Sequence, residues 1–228
     1  PGPERAWEAQ PDTETPGWIG VRAGNWWAAA KALDELHPRY ELAADPPSSL
    51  SLRRALSDAL DGGDADRLIE TGEIDGPFAG ASRVTARYDV GLAPSAPIEP
   101  LTATARLIGD RLEIWAPTQA PGLARAAAAR AAGFPESQVT LYPALVGGGY
   151  GRKLEVDAIE QAAIIAVKLG RPVQLTWPRI QEIQRDTFRP PAAARMTAWI
   201  SQTGIPSWQA RIAAPAMAAQ EGGRVGAN

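Results

Sequence analysis

Residues 139–160 read VTLYPALVGGGYGRKLEVDAIE, and this stretch decides how the rest of the chain is read. An apolar run carrying β-branched residues enters Gly147, Gly148 and Gly149, passes Tyr150 and Gly151, and gives way to a helical pattern. The expected order is strand, glycine turn, helix. Glycine accepts positive φ, and without a Cβ it lets another molecule approach the main chain. Successive N–H groups in such a turn form an anion-binding concavity, reinforced by the positive end of the helix that follows. A tight packing turn is the plainer reading of any one glycine. Four glycines among residues 147–151, flanked by Tyr150 and Arg152, favour a site.

Two phosphate motifs are excluded there. A Walker loop requires Lys and then a hydroxyl residue after its last glycine, whereas Gly151 is followed by Arg152 and Lys153 by Leu154. The dinucleotide fingerprint requires glycine where Arg152 stands. Neither ATP nor NAD is supported.

Working outward, the pattern predicts a strand, helix and strand alternation. Residues 101–108 and 111–115 form a hairpin around Gly109-Asp110, a pair suited to a primed turn. Pro121 opens a helix over 122–132 that Gly133 stops. A helix over 154–169 carries Leu154, Ala158, Ala162, Ile165 and Leu169 on one core stripe, and a strand over 173–177 follows Gly170-Arg-Pro. Upstream, Val84, Ala86, Tyr88 and Val90 share one face of a strand, and Pro94, Pro97 and Pro100 make a rigid connector. Downstream, strands over 194–200 and 208–214 flank a turn at Gln202-Thr-Gly, and the strands that complete this sheet are expected elsewhere.

The first 76 residues have another rhythm. Four prolines in the first 17 residues give an extended lead-in, and 19–23 is a short strand. Asn25 caps a helix over 26–36, with Trp26 and Trp27 expected in the core and His37 at its solvated C-terminal end. Residues 40–42 are extended, residues 51–60 form a second helix, and Gly76-Pro-Phe-Ala-Gly marks the boundary. The expected organisation is a small α+β unit over 1–76 and a second domain over 77–228. The fold class is α+β, with some α/β alternation.

Composition removes several function classes. Lys and Arg total 23 against 26 acids, with no basic run for nucleic acid or a lipid surface. The absence of cysteine excludes disulfides, thiolate zinc and iron–sulfur ligation by this chain, and one histidine excludes His-rich metal sites. Any metal would arrive with a cofactor. No window reaches the roughly 18 apolar residues a membrane helix requires.

The blocks EPLTATARL (99–107), EIWAPTQAP (113–121), VGGGYGRKLEVDAIEQA (146–162), GRPVQLTWPR (170–179) and RDTFRPPAAAR (185–195) resemble, in that order, the molybdopterin-binding large subunit of the xanthine dehydrogenase and aldehyde oxidase superfamily. The resemblance is strongest to the isoquinoline 1-oxidoreductase beta branch, often labelled aldehyde dehydrogenase. Residues 18–76 resemble, more weakly, the α/β hammerhead that precedes the cofactor domain there. The resemblance implies a first-half segment of a bacterial molybdenum hydroxylase, an oxidoreductase that hydroxylates an aldehyde or aromatic N-heterocycle with water-derived oxygen. It implies molybdopterin cytosine dinucleotide as cofactor, with the remainder of the large subunit and a 2Fe–2S small subunit as partners. Cytoplasm and periplasm both stay open.

Carried over position by position, the resemblance makes Gln119 the amide that donates a hydrogen bond to the metal centre. It places the backbone of Gly147, Gly148, Gly149, Tyr150 and Gly151 against the cofactor. The Tyr150 ring and Leu154 become substrate wall, and apolar Leu154, where the xanthine-oxidising branch has a glutamate, points away from purines. Arg152 pairs with a phosphate or with a carboxylate. No metal ligand and no catalytic residue is expected here, because the general-base glutamate is expected further downstream. Glu155, Asp157 and Glu160 read as acidic first turns of a helix. Two other readings stay open: a non-catalytic domain without the rest of the pocket, and an unrelated α/β anion-binding domain.

Overall fold

The computed structural model describes residues 5–9 (as backbone), 17–37, 39, 46–62, 65–72 and 78–215. The extended segment expected at 40–42, the first two residues of the Gly76 boundary and the last thirteen residues lie outside the described residues. In chain order the elements are β1 (Arg5–Ala9), β2 (Trp18–Arg22), α1 (Trp26–Leu36), α2 (Ser49–Asp61), β3 (Ser82–Val90), β4 (Thr102–Ile108), β5 (Arg111–Pro117), α3 (Pro121–Ala132), β6 (Val139–Ala144), α4 (Asp157–Leu169), β7 (Val173–Thr176), α5 (Arg179–Gln184), β8 (Ala192–Ser201) and β9 (Gly204–Ala213). Single 3-10 turns occupy Glu136–Gln138 and Arg152–Leu154. The fold is α+β, and its contacts divide it into two units interleaved along the sequence. One comprises Pro1–Glu41 and Pro94–Thr187, the other Leu42–Ala93 and Phe188–Asn228.

The first unit is built on a four-stranded sheet of order β6-β5-β4-β7. β4 runs antiparallel to β5 and β7, and β5 runs parallel to β6, with α3 as the crossover. The hairpin turns at Gly109, whose φ of 60° uses the freedom only glycine has without strain. Alternation puts Ala103 and Ala105 of β4 and Leu112, Ile114 and Ala116 of β5 on one face, buried against Ala124 and Ala128 of α3 and Ile159, Ala162 and Ala166 of α4. Alanine at most of these contacts lets both helices lie close to the strands. The helix ends follow their sequence signals. Pro121 sits in the first turn of α3, and Gly133 and Gly170 close α3 and α4 in the left-handed region.

Three expectations need correction. Trp26 and Trp27 are exposed, Trp27 by 65%, because α1 turns Ala28, Ala29, Ala30 and Leu33 towards partial burial instead. The Trp26 indole N–H donates to the Thr176 carbonyl at 2.9 Å, and the Lys31 ammonium lies 5.3 Å from a Trp27 ring centroid, so both rings find polar partners without a core. The helix expected from 154 begins at Asp157, since the chain first makes the 152–154 turn and an extended step at Glu155; Leu154 therefore falls off the buried stripe and is 42% exposed. α5 was not anticipated at all.

The acidic first turn of α4 yields a pH prediction. Burial raises the carboxyl pKa of Glu160, Asp157 raises it further, and Arg130 opposes them. A raised native pKa means that the folded state binds the proton more tightly than the unfolded chain, so this group destabilises once pH climbs through its window. Glu160→Gln is therefore expected to raise the thermal midpoint at pH 7. The gain should shrink to nothing as pH falls below the ordinary glutamate range of about 4.3. Melting curves at both pH values check this; a gain that persists in acid would contradict it.

The second unit is an antiparallel sheet of order β3-β8-β9. Its register pairs even-numbered residues with even: Tyr88 with Ala194, Ala86 with Met196, Ala198 with Trp208 and Ala194 with Ile212. The odd face carries α2, which Ser48 and Ser51 start with a reciprocal capping box. Leu56 and Leu60 of α2 pack on Ala193 and Ala213. Polar ties border this contact: Arg87 donates to the Ser57 hydroxyl at 2.8 Å, and Arg195 pairs with Asp61 and holds its carboxyl below the usual carboxylate range. Apart from Ser82 at the start of β3, the even face of these strands is apolar. Val84, Tyr88, Met196, Ile200, Trp208 and Ile212 all stand exposed on it. The spacing of Val84, Ala86, Tyr88 and Val90 correctly placed them together, but on this uncovered side.

Candidate functional site

β5 and β6 are parallel neighbours, so the segments leaving their carboxyl ends lie side by side, where ligands of open α/β sheets bind. From β5 the chain continues through Thr118 and Gln119 into α3, and from β6 it continues through Leu145 and Val146 into the glycines. The Gln119 side chain lies against the Gly149 backbone. A Cβ added to Gly149 would stand 2.5 Å from the Gln119 Oε1 and 2.8 Å from its Cδ. Hydrogen bonds fix the same approach, because the Lys153 carbonyl accepts from the Gln119 backbone N–H at 3.0 Å and from the Thr118 hydroxyl at 3.2 Å.

Within the turn, positive φ falls at Gly148 (97°), Tyr150 (53°) and Gly151 (92°). Gly147 and Gly149 are glycine for another reason, namely that a neighbour occupies the place of the Cβ. For Gly147 that neighbour is the Glu99 Cβ, 2.6 Å from an added Cβ. Tyr150 holds a left-handed conformation that non-glycine residues rarely adopt, and its ring is 80% exposed. A Cβ on Gly151 would meet nothing within 4 Å, so the main chain there borders open space. The turn then closes through Arg152 N–H to the Gly149 carbonyl at 2.9 Å and Leu154 N–H to the Gly151 carbonyl at 3.0 Å. α4 begins only at Asp157, so the expected reinforcement of the glycine turn by a helix N-terminus is absent: the 152–154 turn intervenes.

The structure thus brings Gln119, Gly147, Gly148, Gly149, Tyr150 and Gly151 together. Arg152 takes the second of its two expected partners, a carboxylate. It is 1% exposed, with its Nε 3.2 Å from Asp186 Oδ1 and a terminal nitrogen donating to the Arg185 carbonyl at 3.3 Å. Its guanidinium also stands 5.8 Å from a Trp177 ring centroid. The carboxylate partner is thus Asp186, and the pair is buried. Asp157 and Glu160 occupy the first turn of α4 as expected, whereas Glu155 precedes it and accepts from the Thr187 hydroxyl at 3.1 Å.

Sequence reasoning missed the bed on which the glycines lie. The proline connector runs back along them: the Ser95 hydroxyl donates to the Tyr150 carbonyl at 3.4 Å, Pro97 lies under Gly148, and Glu99 grips Gly147. Asp186 accepts from the Ser95 amide and faces Arg152. The only signal was the place of Glu99 and Asp186 within two of the blocks that carried the resemblance.

An α+β domain with a glycine-rich loop at the ends of two parallel strands is a ligand-binding architecture of the open-sheet kind. The chain belongs to the molybdopterin cofactor-binding domain family, whose model matches residues 61–207, and hence to the xanthine dehydrogenase and aldehyde oxidase superfamily. It is 33% identical over 132 residues to the isoquinoline 1-oxidoreductase subunit beta of Brevundimonas diminuta, covering 57% of this chain and 17% of that protein. It is 30% identical over 192 residues to the membrane-bound aldehyde dehydrogenase of Gluconacetobacter polyoxogenes, covering 82% of this chain and 25% of the relative. In fold it resembles the quinoline 2-oxidoreductase of Pseudomonas putida, with a TM-score of 0.62 and 19% identity over 93% of this chain and 32% of that one. A similar likeness, with a TM-score of 0.62 and 22% identity over 84% of this chain and 22% of the other, joins it to the aldehyde oxidoreductase of Desulfovibrio desulfuricans. The chain spans a quarter or less of the length of these two sequence relatives. Among the described residues, no helix is long and apolar enough to cross a membrane.

Proposed function

We propose that this chain supplies one wall of the cofactor site in a molybdenum hydroxylase large subunit acting on an aldehyde or aromatic N-heterocycle. One observation carries the reading: the Gln119 amide lies against the backbone of Gly149, in the space a Cβ would fill. The residues fit the group that the family binds. A bulky pterin needs main chain with few side chains in its way, and the glycines at 147–149 and 151 present this, with Gly151 facing open space. A planar amide beside it offers a donor and an acceptor without net charge. When bound, the molybdenum–pterin group supplies the two-electron redox chemistry of hydroxylation. Gln119 then orients by hydrogen bonding, the loop from Gly147 to Gly151 holds the group through its backbone, and the exposed Tyr150 and Leu154 form the substrate wall. Arg152 acts from behind, fixing the far end of the loop.

The finer reading includes the cytosine dinucleotide form of the cofactor, a separate 2Fe–2S subunit to receive electrons, and the remainder of the large subunit as partner. What supports a further polypeptide is the even face of the β3-β8-β9 sheet. Apolar patches beyond a few hundred Å² are rare on free monomers, and the chain's share of its relatives leaves ample sequence to cover this face. In the assembled enzyme, Gln119→Ala is expected to lower turnover on the order of a hundredfold, the effect of deleting one preorganised donor, with molybdenum content retained. Unchanged kinetics would remove the assignment. Stoichiometric loss of molybdenum would make Gln119 a structural support instead.

A further inference from the structure

The first unit contains a lysine that nothing in the proposed chemistry uses. Lys153 is 1% exposed, and its ammonium lies 3.1 Å from Glu99 Oε2 while donating to the Pro100 carbonyl at 2.9 Å. A buried ammonium is tolerated only when paired and hydrogen-bonded. Glu99 Oε2 also accepts the Gly147 amide at 3.0 Å, and the Glu99 amide donates to the Gly147 carbonyl at 3.1 Å. One residue therefore holds Gly147 by its donor and its acceptor. At its other end Lys153 presents the carbonyl that accepts from Gln119 and Thr118.

We propose that Glu99 and Lys153 are a positioning pair that sets the spacing between the glycine loop and Gln119. The side chain of Lys153 meets the loop through Glu99, and its main chain meets Gln119, so one residue gauges the distance between the two halves of the site. The inference rests on the proposed cofactor reading only for its purpose, because the geometry itself belongs to this chain alone.

The pair is tested in double variants, since Glu99→Ala alone strands a buried ammonium and endangers folding. Lys153→Met removes that charge in each case. Glu99→Gln with Lys153→Met keeps an acceptor for the Gly147 amide, whereas Glu99→Ala with Lys153→Met does not. Amide hydrogen exchange in the 228-residue chain is read at Gly147 and at Ala162 of α4. Gly147 should exchange roughly fivefold faster in the alanine double variant than in the glutamine one, the factor an ordinary hydrogen bond confers. Ala162 should exchange equally in both. Equal rates at Gly147, or a matching rise at Ala162, would overturn the positioning role, since a merely structural pair acts on the whole unit. The same variants are then carried into the assembled enzyme. A lower molybdenum content in the alanine variant alone would extend the role to cofactor retention. Loosened loop amides with equal molybdenum content and unaltered turnover would leave the positioning pair standing and sink the cofactor reading of the loop.

Discussion

Asp186→Ala is expected to destabilise the chain by about 3–5 kcal/mol, the usual consequence of leaving a buried charge without its partner. The Arg152 and Asp186 side chains are 1% and 2% exposed, so water cannot replace the lost carboxylate. The Ser95 amide loses its acceptor in the same substitution, which frees the connector that lies along the loop. Total stabilities of about 5–15 kcal/mol make such a loss a large fraction of the whole. Adding Arg152→Met to Asp186→Ala should recover most of it, because an apolar side chain in place of an unpaired guanidinium needs no compensation. Urea unfolding of the wild type, Asp186→Ala, Arg152→Met and the double variant measures the coupling. A small loss in Asp186→Ala, with no recovery in the double variant, would show that the pair is not the anchor of this loop.

Gly149→Ala should do the reverse, sparing stability while strongly lowering turnover. Gly149 is absent from the positive-φ residues, so alanine fits its backbone. The added methyl would overlap the far end of the Gln119 side chain, which can swing away. Stability should change by less than about 1 kcal/mol, as for substitutions that create neither a cavity nor strain. In the assembled enzyme, turnover should fall on the order of a hundredfold, and Gln119→Ala added to it should lower turnover little further, because both changes remove one interaction. Additive losses would mean that Gly149 and Gln119 act separately, contrary to the geometry. Gly147→Ala is the informative contrast, since the added methyl there meets the Cβ of Glu99, which cannot rotate out of the way.

These two variants also show what the sequence could and could not disclose. Gln119 and the glycine run were legible because strand, turn and helix signals are local, and because the order of five blocks carried a resemblance. That Gln119 fills the space of the missing Gly149 Cβ was not legible, since it depends on how two parallel strand ends come together. Nothing in the sequence announced that Arg152 and Lys153 are buried, since most such residues are exposed; their burial follows from Asp186 and Glu99, 34 and 54 positions away. The indoles of Trp26 and Trp27 read as core because composition cannot say which side of α1 is covered. α5 was missed because six residues are too few for periodicity to speak. The even face of β3 was found by its alternation, but alternation marks a shared face and is silent on what covers it.

The bridge between Ala93 and Arg189 has a temporal corollary. Their backbones exchange hydrogen bonds of 3.4 and 2.9 Å, closing an excursion that begins at Pro94 and ends at Thr187. During vectorial synthesis β3 emerges about a hundred residues before β8, its partner in register. Domains form as units in the order in which the ribosome delivers them, so the four-stranded body can condense while β3 still waits with its edge unpaired. The interrupted sheet is thus expected to mature last, with the window in which nascent β3 could pair wrongly set by the translation time of the insert.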